Sequence, residues 1–182
     1  ADLDHAIFSH CPSIEIVVLL DGAQREARSI GDRRTFTFET LLADLGTETV
    51  WGDFDEDAPA GLCYTSGTTG SPKGVLYTHR SNYLHTLRAL QADAFALTAS
   101  DCVLVAVPMF HANAWGFPFA APAVGAKLVL PGRHTDGERL ARLIRDEDVT
   151  VAAGVQTVWQ GLLDHLDETG GDVPSLERVL IG

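Results

Sequence analysis

Tyr64-Thr65-Ser66-Gly67-Thr68-Thr69-Gly70-Ser71-Pro72-Lys73-Gly74 is the stretch on which the reading of this chain turns. Three glycines and five serine or threonine hydroxyls crowd into it, with one lysine near its end. Leu62, Cys63 and Tyr64 lead in as the end of a short strand. Val75-Leu76-Tyr77 resumes a strand, and an amphipathic helix is expected from about Ser81. A glycine-rich, hydroxyl-rich loop after a strand suits phosphate. Glycine lets backbone N–H groups turn inward, hydroxyls add donors, and a lysine adds a mobile positive charge.

The loop is not a Walker loop, G-x-x-x-x-G-K-[ST]. Counting from Gly67, Pro72 stands where the second glycine belongs, and Gly74 where serine or threonine belongs. Pro72 has no N–H to donate and fixes its own φ. A mobile linker of small polar residues is the competing reading. Against it stand Tyr64 before the loop and Pro-Lys-Gly-Val-Leu-Tyr across its end.

Outward from the loop, strands and helices alternate. Ile14–Leu20 reads as a buried strand closed by Asp21-Gly22, Gln24–Arg34 as a polar loop, and Phe38–Leu45 as a helix with Leu41, Leu42 and Leu45 on one side. Asp53–Asp57 reads as a solvated acidic loop. Leu84, Leu87, Leu90 and Ala94 mark the inner face of a helix that Ser81 caps, while His79 and His85 cap or pack. Cys102–Val107 is a core strand delivering Met109–Trp115 at its end, where ligand crevices of open α/β sheets lie. An apolar helix over Trp115–Val124 and a strand over Lys127–Leu130 follow. A capping box of Thr135 with Glu138 then opens a helix, and further strands run over Val149–Ala153 and Arg178–Ile181. The alternation predicts an α/β fold, a parallel-rich sheet flanked by helices.

Length suits one domain, 1–182, with a sizeable core. A net charge of −12 argues against a general binder of nucleic acid or anionic membranes, but not against ATP in a locally positive loop. Cys11, Cys63 and Cys102 show no pairing or metal spacing. With no signal-peptide pattern and no membrane-length apolar run, a reducing, cytoplasmic setting is expected.

The stretch Tyr64–Gly74 resembles the phosphate loop of the adenylate-forming enzymes: acyl-CoA synthetases, luciferases and peptide-synthetase adenylation domains. Val107-Pro108-Met109-Phe110-His111-Ala112-Asn113-Ala114-Trp115, Val124–Gly132 and Ala153–Trp159 are similar to the medium- and long-chain fatty-acyl-CoA synthetase branch. The resemblance implies that Thr65, Ser66, Gly67, Thr68, Thr69, Gly70 and Lys73 hold the β- and γ-phosphates of ATP, and that Thr65 approaches Mg²⁺. It places His111, by composition a core or hydrogen-bonded histidine, beside the acyl phosphate and carboxylate. Lys73, Thr65 and His111 are thereby the catalytic candidates. Trp115, by composition a core anchor, matches an indole proposed to gate an acyl tunnel; if Met109–Trp115 is helical, His111 and Trp115 share a face. Gly154 and Val155 line the acid pocket. Gln156 stands where the family commonly has proline, which leaves the exact pocket shape open.

The reaction implied is ATP plus a fatty acid giving acyl-AMP and pyrophosphate, followed by transfer to CoA. Other adenylating enzymes are the neighbouring alternative, and a non-catalytic nucleotide-binding module is the alternative for this piece alone. Lacking an initiator Met and ending on Val179-Leu180-Ile181-Gly182, the chain is expected to be a fragment of the large N-terminal domain. The adenine-binding segment and the lysine-bearing C-terminal lid would lie outside it, so these residues alone are expected to make no acyl-CoA. Related enzymes often dimerise, and the resemblance extends that expectation to a homodimeric parent.

Overall fold

The computed structural model describes residues 3–20, 33–45, 50, 52–65 and 70–182, with only the backbone described at 3–6 and Leu45. It divides into two compact units, Ala1–Asp53 and Phe54–Gly182.

The first unit runs helix α1 (Leu3–His10), strand β1 (Ile16–Leu19), strand β2 (Arg34–Thr37) and helix α2 (Phe38–Leu45). β1 and β2 pair in parallel, Ile16 opposite Arg34. Arg33 ties the unit together. Its Nε donates to Ile14 O at 3.0 Å, its Nη2 to Phe8 O at 2.9 Å, and its guanidinium lies 4.9 Å from the Phe8 ring. The expected helix over 38–45 forms behind reciprocal hydrogen bonds between Thr37 and Thr40. Leu42 is nevertheless exposed. β1 is not the buried strand expected: Ile16 and Val18 are 48% and 38% exposed, because within this unit only alternate side chains are covered. Of the expected loop Gln24–Arg34, residues 24–32 lie outside the described residues, and Arg34 belongs to β2.

The second unit opens with a hairpin, β3 (Pro59–Thr65) against β4 (Lys73–Thr78), antiparallel with Thr65 opposite Lys73. Helix α3 (His79–Ala89) follows directly. Its N-cap is Thr78, whose hydroxyl accepts from Ser81 N while Ser81 Oγ accepts from Thr78 N. Ser81 is therefore the third residue of a capping box, not the cap itself. Of the expected leucine stripe only Leu90 packs on the core: Leu84 and Leu87 are 51% and 46% exposed, and Thr86 and Ala89 face inward instead. Ala94 lies beyond the end of the helix.

Strands β5 (Cys102–Val105), β6 (Lys127–Val129), β7 (Val151–Gly154) and β8 (Arg178–Ile181) form a parallel sheet in the order β6-β5-β7-β8. Helices α4 (Phe117–Val124), α5 (Gly137–Asp146) and α6 (Gln156–Thr169) make the crossovers. Side-chain alternation along β5 divides the core into two layers. Val103, Val105 and Val107 pack with Ala89 of α3 and Phe117, Ala120 and Ala121 of α4. Cys102 and Leu104 pack with Leu140, Ala141 and Ile144 of α5 and Trp159 and Leu162 of α6. Phe117 is fully buried and stacks on Phe95 at 4.4 Å.

The cap of α5 sits one residue from expectation. Asp136, not Thr135, caps α5, its carboxylate accepting from Arg139 N at 3.1 Å. A carboxylate at this position also meets the positive end of the helix. α4 starts at Phe117 rather than Trp115, because Ala112–Gly116 has the wrong hand to join it.

In chain order β5 passes by α4 to β6 on one side, the chain then crosses β5 through α5 to reach β7, and β7 continues by α6 to β8. The strand order therefore reverses between β5 and β7. In open α/β sheets a crevice opens beyond the C-terminal ends of the strands at such a point.

Candidate functional site

At that reversal the β5 strand end leads into Pro108–His111, and the β7 end into Gly154 and Val155. His111 is exposed, on a tight turn in which its N–H donates to Pro108 O at 3.0 Å. Met109 and Phe110 beside it are 49% and 79% exposed.

Ala112, Asn113, Ala114 and Trp115 then take φ values of 46°, 50°, 48° and 54°, and Gly116 takes 81°. This is a left-handed turn made mostly of L-residues, at a cost of about 1–2 kcal/mol per residue. It overturns the shared-face expectation for His111 and Trp115, which assumed a right-handed helix. Three contacts hold the turn. Cys63 Sγ of β3 donates to Asn113 Oδ1 at 3.3 Å, and His85 Nε2 of α3 lies 3.1 Å from Trp115 O. The half-buried Trp115 indole lies against Gly182, where a Cβ would stand 2.7 Å from its Cζ2. The first contact joins the turn to the strand that enters the phosphate loop. The third joins it to the end of β8.

Of the phosphate-loop residues, Ser66, Gly67, Thr68 and Thr69 lie outside the described residues. Those that flank them sit at the loop end of the hairpin. Thr65 and Lys73 are both exposed and face each other across the two strands. Gly70 is exposed with φ of 83°, a conformation that favours glycine. Lys73 makes no ion pair among the described residues. At Gly74 a Cβ would come within 3.1 Å of Leu62 Cδ1 and 3.7 Å of the Tyr64 ring, so the glycine admits the side chains of the facing strand. No group of three or more His, Cys, Asp or Glu among the described residues could hold a metal. The Thr65 hydroxyl is an exposed hard oxygen donor, which suits Mg²⁺ completed by phosphate and water.

Gly154 is buried and has a packing partner of its own. Trp159 Nε1 donates to its carbonyl at 3.1 Å, and a Cβ there would lie 2.9 Å from Trp159 Cζ2. Val155 is 36% exposed at the strand end and serves as the N-cap residue of α6 without a capping side chain; Gln156, the first helical residue, is exposed. His79 stacks on Phe54 with ring centroids 4.1 Å apart, a packing role. Cys63, Asn113 and Gly182 carry no sequence signal beyond asparagine's tolerance of left-handed backbone.

The sequence matches the family described as AMP-binding enzyme over residues 5–182. The chain belongs to that family. Among curated relatives, it is 50% identical over 145 residues to the medium-chain-fatty-acid–CoA ligase of Ectopseudomonas oleovorans, covering 80% of this chain and 27% of that protein. It is 51% identical over 127 residues to the long-chain-fatty-acid–CoA ligase of Thermus thermophilus, covering 70% of this chain and 24% of that one. It thus spans about a quarter of the length of these relatives. Among solved structures, the O-succinylbenzoate coenzyme A synthetase of Bacillus subtilis in complex with AMP superposes with a TM-score of 0.69 at 26% identity, over 98% of this chain and 45% of that chain. For this AMP-binding family member, no described helix is long and apolar enough to cross a membrane.

Proposed function

We propose that this chain is the phosphate-gripping and part of the acid-binding region of an AMP-forming acyl-CoA ligase acting on medium- or long-chain fatty acids. The observation that supports the reading is the contact between Cys63, on the strand leading into the candidate loop, and Asn113, in the turn that carries Trp115. The ligase relatives support it. One carboxylate oxygen attacks the α-phosphorus of ATP, the bond to the bridging oxygen breaks, and pyrophosphate leaves. The CoA thiolate then attacks the acyl carbon of the anhydride and AMP departs.

In this reading Thr65, Ser66, Gly67, Thr68, Thr69, Gly70 and Lys73 hold the β- and γ-phosphates. Positioning and fixed charge supply most of the catalysis in such chemistry. Thr65 is the residue that would hold Mg²⁺, which neutralises triphosphate charge when bound. His111 lies by the carboxylate, and Trp115, Gly154 and Val155 border the acyl chain. A cytoplasmic location, residues 1–182 as part of one large domain, and a dimeric parent belong to the same proposal.

The test is pyrophosphate exchange by the full-length protein, driven by fatty acids of graded length, a short thioether acid, an aryl acid and amino acids, with and without CoA. Fatty-acid-dependent exchange and CoA-dependent thioester formation are expected. Strict dependence on an amino acid would sink the assignment. Lys73→Ala and Thr65→Ala should each slow adenylation by about 100-fold, the scale of a lost transition-state donor; unchanged rates would remove the phosphate-loop roles.

A further inference from the structure

His85 is exposed on α3, among none of the candidate phosphate- or acid-binding residues, yet it meets the left-handed turn at the Trp115 carbonyl. A carbonyl oxygen only accepts, so the 3.1 Å contact with Trp115 O puts the proton on Nε2 of His85. The same ring fills the space beside Gly116: a Cβ there would stand 2.5 Å from His85 Cδ2 and 2.6 Å from Nε2. One side chain thus bonds the peptide that follows Trp115 and occupies the space a Cβ at the next position would need.

A run of residues at φ between 46° and 81° persists only where its surroundings over-determine it. Ala112 and Ala114 have no polar side chain with which to help. The Cys63–Asn113 bond acts at the start of the turn, two residues before the indole. His85 acts on the Trp115–Gly116 peptide itself, the unit whose orientation sets how the indole leaves the backbone.

We propose that His85 is a positioning residue for acyl-chain selectivity. It donates from Nε2 to the Trp115 carbonyl and wedges against Gly116, and so fixes the left-handed turn with the indole seated on Gly182. This rests on the reading of Trp115 as a border of the acyl pocket. His85 acts through Trp115 and leaves the phosphate grip untouched.

The experiment compares Trp115→Ala, His85→Ala, His85→Gln, His85→Phe and Gly116→Ala in the full-length ligase. It measures kcat and KM for octanoate, palmitate and ATP. His85→Ala and Gly116→Ala should each shift the octanoate-to-palmitate ratio of kcat/KM by about tenfold, the scale of small changes in a hydrophobic pocket. The KM for ATP should stay unchanged. His85→Gln, which keeps a donor, should recover most of the ratio, and His85→Phe, which keeps only the bulk, should recover less. Acrylamide quenching of Trp115, isolated by subtracting the Trp115→Phe protein, should rise in His85→Ala.

If Trp115→Ala changes selectivity while His85→Ala changes neither selectivity nor quenching, the positioning role is overturned and the pocket reading stands. If Trp115→Ala leaves selectivity unchanged, the pocket reading falls and selectivity control by His85 falls with it. Should His85→Ala fail to fold, the contrast between His85→Gln and His85→Phe decides, and equal selectivity in those two variants overturns the role of the hydrogen bond.

Discussion

Cys63 Sγ lies 3.3 Å from Asn113 Oδ1, so the strand that enters the candidate phosphate loop and the turn that carries Trp115 share a hydrogen bond. Thr65 is two residues along the chain from one partner and Trp115 two residues from the other. Asn113 also holds a left-handed conformation (φ 50°, ψ 41°), which asparagine tolerates and β-branched residues resist. Asn113→Val should therefore lower stability by about 2 kcal/mol, the sum of backbone strain and a lost hydrogen bond. Asn113→Gly, which relieves the strain, should cost less. Chemical denaturation of both variants checks this, and equal losses would show that handedness is not what asparagine contributes.

Gly154 and Trp159 give a second prediction. A methyl at position 154 would stand 2.9 Å from Trp159 Cζ2 and disturb the bond from Nε1 to the Gly154 carbonyl. Gly154→Ala should destabilise by about 1–3 kcal/mol, as overpacking does. Trp159→Phe should remove part of that penalty in the double variant. Additive losses in denaturant titrations would show instead that the two positions are not coupled.

Two glycines at the crossing of α5 and α6 should behave oppositely. A Cβ at Gly137 would lie 2.1 Å from Gly161 O, whereas a Cβ at Gly161 meets nothing within 4 Å. Gly137→Ala must push the helices apart and should lower the melting temperature by several degrees. Gly161→Ala, inside α6, should raise stability by roughly 0.5–1 kcal/mol through helix propensity. Thermal unfolding of the two single variants is the check.

Acid sensitivity should centre on Asp101, 6% exposed at the entrance to β5. Burial alone would raise its carboxyl. The hydrogen bonds from Thr98 N, Arg178, Thr150 Oγ1 and Thr98 Oγ1 outweigh burial and hold it below the ordinary carboxylate range. A carboxyl lowered in the folded state contributes its stability in full above the unfolded value, near pH 4, and loses it as pH falls from there through the folded value. The melting temperature should therefore fall on acidification below about pH 4. Asp101→Asn should flatten that fall while costing about 3 kcal/mol at neutral pH, because Arg178 loses its buried partner. A melting profile from about pH 2 to pH 7 decides, and an unchanged acid slope in Asp101→Asn would move the effect elsewhere.

The sequence by itself determined the class of fold and marked a candidate phosphate loop. Both are local signals. Cys102–Val107 is apolar and β-branched wherever it folds, and the glycines and hydroxyls around Lys73 form a recognisable candidate motif without reference to anything distant. Helix caps were legible only to within one to three residues: Thr78 and Asp136 took the positions that Ser81 and Thr135 were expected to fill, since several oxygen-bearing side chains compete at each helix start.

Tertiary structure alone decided the rest. The leucines of α3 have helical spacing, but which face is covered depends on what packs there, and Thr86 and Ala89 won that face. Nothing in Ala112-Asn113-Ala114-Trp115 announces a left-handed turn, because for those residues it is unfavourable until outside contacts compensate. Those contacts come from Cys63, His85 and Gly182, respectively 50, 30 and 67 positions away in sequence from the residue each one touches. The handedness of the turn, and with it the seat of Trp115, is a property of the packed chain.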